Sequence, residues 1–196
     1  MDTIDSFTHK GHTVNIAQDE FQGENPFDEC NLGTFVAFHK RYNLGTTQDA
    51  YKNENYNSWS ELEKDIIKNE KPVVILPVFM YDHSGLFFKI GSFQGMLPQG
   101  HAEFDSGRVG YIFVSREKAV KEYGCKRFSK KQVEIITNVL KGEIEEYTSW
   151  VNGYIYWYRI EDDAGEYIDS CGGYTDMNTL REDAISVIDN RIAKVS

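Results

Sequence analysis

Three short stretches gather the residue types that do chemistry. Asp82-His83-Ser84-Gly85, Asp105-Ser106-Gly107-Arg108 and Asp169-Ser170-Cys171 place carboxylates, hydroxyls, an imidazole, a guanidinium and a thiol beside apolar runs. Loops at strand ends are where a rigid scaffold presents such groups. Asp82, His83 and Ser84 are the three types of a hydrolase triad, but neighbours in one tight turn point in different directions, and triad members come from distant positions. No Gly-x-Ser-x-Gly elbow is present either. Asp and Ser also stabilise turns by bonding the local backbone, so no catalytic residue is assigned.

A metal could in principle gather Asp82, His83, His101, Asp105 and Asp169, all expected in loops. No His-x-x-x-His or His-Glu-x-x-His spacing supports it, and neither a metal nor a cofactor is expected. The glycine-rich stretch Gly91–Gly100 opens no recognisable helix and no Gly-Lys-Ser/Thr is present, which excludes a P-loop. What remains for Asp82, His83, Ser84, Asp105, Ser106, Arg108, Asp169 and Ser170 is a set of candidate binding loops (82–85, 105–108 and 169–171), with Arg108 suited to pair with a phosphate. Tyr154, Tyr156, Trp157 and Tyr158 could stack bases, yet a strand puts Tyr154, Tyr156 and Tyr158 on one face and Trp157 on the other, and one face must be core.

Charge points to a different class of function. The formal net charge of the 196 residues is −10. Residues 1–70 carry 13 acids and 6 bases, residues 71–128 carry 5 and 8, and residues 129–196 carry 13 and 7. Acidic wings flank a mildly basic centre, so direct nucleic-acid binding is not expected, whereas attraction to basic surfaces is. Glu143, Glu145 and Glu146, with Glu161, Asp162 and Asp163, form a candidate acidic interaction surface whose spacing would imitate backbone phosphates. A solvated charged face is the plainer account.

The elements that must position these residues read as follows. Thr34-Phe35-Val36-Ala37-Phe38-His39 is a strand. Ser58-Trp59-Ser60-Glu61 has capping-box spacing and opens a short helix ended by Pro72. The run 73–81 is apolar throughout, so both its faces should be covered, and Pro77 within it predicts a bulge or an edge position. Residues 86–90 pair with it as a hairpin, and 109–114 is another buried strand. Ser115 and Gly124 bracket a short helix. Val133, Ile136, Leu140, Ile144 and Tyr147 then give a helix over about 130–147, whose Gly142 suggests a close approach by another element. A hairpin turns at Asp162-Asp163-Ala164-Gly165, and Met177, Leu180, Ala184, Ile188 and Ile192 stripe a helix over about 177–193. The expected fold is α+β: a mainly antiparallel sheet of hairpins with the two longer helices packed on it, in a single domain over 1–196 whose first 30 residues are loosely packed. Cys30, Cys125 and Cys171 form no Cys-x-x-Cys pair, so reduced thiols are expected. No leader and no apolar span appear, and the expected location is the cytoplasm, away from any membrane.

Five motifs carry a resemblance. Asn25-Pro26 with Asn31-Leu32-Gly33-Thr34, Arg41-Tyr42-Asn43-Leu44-Gly45, Tyr81-Asp82-His83-Ser84-Gly85, Asp105-Ser106-Gly107-Arg108-Val109-Gly110 and Asp169-Ser170-Cys171-Gly172-Gly173 resemble a family of small proteins encoded by phages and mobile elements. The resemblance spans residues 25–175 and departs at Glu29-Cys30 and in the loop 92–101. It implies no reaction and no ligand, but it does imply a phage context, in which small acidic proteins disable host defences. The expectation is a non-enzymatic accessory protein of the anti-restriction or anti-CRISPR type. It would bind a host defence protein or nucleoprotein complex through acidic surfaces, in the host cytoplasm. The alternative is a small-ligand- or metal-binding hydrolase, or a nucleotide-sequestering protein, built on the three loops.

Overall fold

The computed structural model describes residues 2–19, 23–29, 31–47, 50–97 and 105–195. The fold is α+β, with two four-stranded antiparallel sheets. The chain divides into two compact units, residues 1–23 with 149–196, and residues 24–148.

In the first unit, β1 (Thr3–His9), β2 (His12–Gln18), β7 (Tyr156–Glu161) and β8 (Tyr167–Tyr174) form a sheet in the order β1-β2-β7-β8. Lys10 and Gly11, both at positive φ (46° and 80°), make the two-residue turn from β1 to β2, the geometry that matches the strands' own twist. Val14 pairs with Ile160 and Ile16 with Tyr158 across β2 and β7. Helix α5 (Met177–Val195) lays Leu180, Ala184 and Ile188 onto these four residues, and all seven are buried. Burying each large side chain contributes about 1.5–3 kcal/mol. Residues 3–18 are thus a hairpin whose second strand enters the core, where a loose segment over 1–30 was expected. The alternation at 12–16 is half of the signal; its partner β1 is an edge strand with little apolar content, so it leaves no mark of its own.

The second unit holds the order β3-β6-β4-β5, with β3 at Thr34–Ala37, β4 at Val74–Asp82, β5 at Leu86–Ile90 and β6 at Ser106–Val114. Around it stand α1 (Pro26–Glu29), α2 (Trp59–Glu70), α3 (Arg116–Tyr123) and α4, which runs Lys130–Val151. Residues alternate across the sheet. Val36, Tyr111 and Phe113 pack with Leu62 and Ile66 of α2. On β3, Phe35 turns the other way, its ring 5.6 Å from that of Tyr147 on α4. Both faces are covered, which is why the strands read as continuous apolar runs. Ser58, Ser115 and Ser129 accept hydrogen bonds from Glu61 N, Lys118 N and Gln132 N as N-caps, and Gln132 Oε1 accepts from Ser129 N in return.

Gly142 departs from the sequence reading, Gly110 adds to it, and Pro77 sits beside a bulge, as expected, but on a central strand and not at an edge. A Cβ on Gly142 would meet nothing within 4 Å, so no element approaches there. A Cβ on Gly110 would lie 1.9 Å from Val36 O, so this glycine is what lets β3 and β6 pair. Pro77 lies on β4, which is central, between β6 and β5. Its carbonyl accepts from Gly91 N just past Ile90, the last residue paired on that side. The missing N–H therefore costs no ladder bond.

Candidate functional site

A cleft of about 240 Å³ in the second unit is lined by His39, Arg41, Met80, Asp82, Asp105, Ser106, Gly107, Arg108 and Val109. Three segments build it. The first is the loop after β3. Val36 bridges Gly45, and Thr46 N donates to Phe35 O, so residues 38–44 are closed off at their base. Only glycine suits position 45: its φ is +75° and a Cβ would come 2.2 Å from Phe35 O. Closing the loop brings His39, Arg41 and Tyr42 to the end of β4. The second segment is that strand end. The third is β6, where the register slips between Val78 and Phe79 so that Gly110 faces Val78 while Arg108 faces Phe79. Val109 is the extra residue of this bulge, and bulges re-aim neighbouring side chains.

Arg41 Nη2 donates to Asp82 Oδ2 at 2.5 Å, and Tyr42 OH donates to the same oxygen at 3.3 Å. Arg41 N donates to His39 Nδ1 at 3.3 Å. In the neutral ring this assigns the proton to Nε2, which has no partner among the described residues. The His39 ring stacks on Tyr42 at 5.0 Å. Arg108 lies over Phe79 at 5.4 Å and over Tyr111 at 5.5 Å, and its Nη1 donates to Tyr111 OH at 3.0 Å. Tyr111 OH in turn donates to Glu63 Oε2 at 3.2 Å. Burial pushes the Tyr111 phenol up and Glu63 adds to it, with Arg108 opposing, so the hydroxyl stays protonated between its two partners. Among the described residues Arg108 pairs with no carboxylate. At the rim, His83 Nδ1 lies 3.8 Å from Asp105 Oδ2, and its ring stacks on Tyr81 at 5.7 Å.

Of the predicted binding residues, Asp82, Asp105, Ser106 and Arg108 line one cleft, with His83 at its edge. Ser84 is an exposed turn residue at φ 57°. Asp169 and Ser170 belong to the other unit and lie within exposed β8, where Asp169 Oδ1 accepts from Ser170 N at 2.8 Å. They are strand residues, not loop residues. Asp82 Oδ2 accepts from both Arg41 and Tyr42. Ser106 and Gly107 open β6 rather than forming a turn. His101 and Cys30 lie outside the described residues. Among those described, no group of three or more His, Cys, Asp or Glu is placed to hold a metal, and no helix is long and apolar enough to cross a membrane.

Three of the six residues of the predicted acidic surface are engaged in local contacts. Glu143 is buried, accepting from Leu32 N at 2.5 Å and Gly33 N at 2.9 Å. Burial raises its carboxyl above the ordinary range, although those two N–H groups pull it down. Glu161 pairs with Arg159 at 2.9 Å, and Asp162 Oδ1 accepts from Ala164 N and Glu166 N to shape its turn. Glu145, Glu146 and Asp163 are exposed. In the aromatic run, Tyr158 is core, its hydroxyl donating to Asp183 at 3.1 Å.

His39, Arg41 and Tyr42 are the members of the cleft that the sequence reading missed. The available signal was a His-Lys-Arg-Tyr stretch between a strand and a glycine, read only as a strand end and a turn. No family model matches this chain, and no curated protein or solved structure matches it.

Proposed function

We propose that the 24–148 unit binds a small organic anion, a phosphate monoester or a carboxylic acid, in the cleft between the 38–44 loop and the β4 and β6 ends. The observation that carries this reading is Arg108: half-buried, clamped between two rings, aligned by a neutral phenol, and without a carboxylate partner among the described residues. An unpaired guanidinium held in this way is preorganised for a bidentate anion. His39 Nε2–H and the remaining Arg41 donors supply further hydrogen bonds at the same cleft. Binding, not turnover, is the activity proposed; Asp82 Oδ2 is held by Arg41 and Tyr42.

Titration calorimetry and thermal shift with inorganic phosphate and short organic acids test it. Ligand at 100 times its dissociation constant adds about 2.7 kcal/mol of stability. Arg108→Gln should abolish the effect, and equal binding by that variant would refute the reading.

A second reading, a phage-encoded inhibitor that engages the basic surface of a host defence complex, is favoured by the net charge of −10. Glu145, Glu146 and Asp163 are the members of the predicted surface left to support it. Capture of a nuclease or defence component from host lysate at low salt, lost at high salt, would support this reading. Recovery of none at either ionic strength would remove it.

A further inference from the structure

The cleft carries charge of both signs, and this narrows its ligand; the inference rests on the anion-binding reading above. Arg41 and Arg108 share the cleft with Asp82 and Asp105, so the formal charges of these described lining residues cancel. A bare anion on Arg108 stands near two carboxylates, so it binds more weakly than a ligand that also carries a positive charge. Asp82 is also incompletely used. Its Oδ2 takes both Arg41 and Tyr42, while Oδ1 has no partner among the described residues, although the side chain is only 23% exposed. That oxygen can accept a hydrogen bond from a ligand, and a charged donor makes the stronger one.

We infer that the ligand is a small zwitterion, with its phosphate or carboxylate on Arg108 and His39 and its ammonium group on Asp82 Oδ1. The cleft, at about 240 Å³, is smaller than the roughly 300–1,000 Å³ of drug-sized sites. That size suits an amino acid or an aminoalkyl phosphate rather than a dinucleotide.

The test uses the full chain and four probes in calorimetry: O-phosphoethanolamine, its N-acetyl derivative, γ-aminobutyrate and glycerol 3-phosphate. One of the two zwitterions should bind about ten-fold or more tighter than both N-acetyl-phosphoethanolamine and glycerol 3-phosphate, since one well-placed charge pair is worth at least that factor. Which zwitterion wins distinguishes a phosphate from a carboxylate ligand. In Asp82→Asn the preference should collapse to within about two-fold. Equal affinity for the acetylated and free amines would overturn the zwitterion and leave the anion reading in place. No binding by any probe, or binding unaffected by Arg108→Gln, would overturn both. The acetylated comparison needs no variant, so a poorly folded Asp82→Asn protein does not block it.

Discussion

Arg41 Nη2 stands 2.5 Å from Asp82 Oδ2 across 41 residues of sequence, tying the loop after β3 to the end of β4. The pair is open on the arginine side, 67% exposed against 23% for the aspartate. Exposed pairs of this kind contribute about 0.2–1 kcal/mol. A double-mutant cycle with Arg41→Ala and Asp82→Ala, followed by urea unfolding, should give a coupling energy in that range. A coupling of zero would mean that the loop is held by its base alone.

That base makes the sharper prediction. Gly45→Ala forces a Cβ into Phe35 O at a residue held at φ +75°, and strain of this kind costs about 1–3 kcal/mol before the clash is counted. The loop carrying His39 and Arg41 should then detach and anion binding should fail. Gly142→Ala is the matching control: exposed, mid-helix and free of neighbours within 4 Å, it should stabilise by about 0.5–1 kcal/mol. Denaturation midpoints of the two variants check both signs.

Glu143 gives a pH prediction. Burial holds its folded-state pKa above the ordinary carboxylate value, with the Gly33 and Leu32 N–H groups opposing. The folded protein therefore binds the proton more tightly than the unfolded chain. Stability contributed at this site is full below the unfolded pKa and falls as pH rises through the folded one. Glu143→Gln removes the titration. Urea midpoints followed between about pH 4 and pH 8 should show the native chain losing ground to the variant as pH rises. A native chain that gains on the variant over that range would contradict the assignment.

Leu180 anchors α5 on the first unit's sheet, fully buried against Val14, Ile16 and Ile160. Leu180→Ala should cost about 2–5 kcal/mol. Hydrogen exchange should speed up in β2 and β7. Unchanged protection there would show that the hairpin of residues 3–18 is held by other contacts.

Much of the scaffold was legible in the sequence because it rests on local rules. Ser58, Ser115 and Ser129 cap the helices their spacing predicts, and Leu180, Ala184 and Ile188 stripe the face that is buried. What could not be read depends on partners distant in sequence. Gly110 owes its place to Val36, Glu143 leaves solvent to meet the Leu32 and Gly33 amides, and Tyr158 turns core when Ile16 lies opposite it. The cleft was half legible. Asp82, Asp105 and Arg108 stood out by type and spacing, but His39 and Arg41 enter only because Gly45 closes a loop. Asp169 and Ser170 shared the same residue types and fell in another sheet, since type alone does not fix place.

The most direct test of the anion cleft is a titration with inorganic phosphate followed by heteronuclear NMR at amides and at arginine Nε. The account predicts saturable shifts confined to residues 39–42, 80–83 and 105–109, with the Arg108 Nε signal moving furthest, and their loss in Arg108→Gln. Shifts that fail to saturate, or that leave Arg108 unmoved, would contradict it.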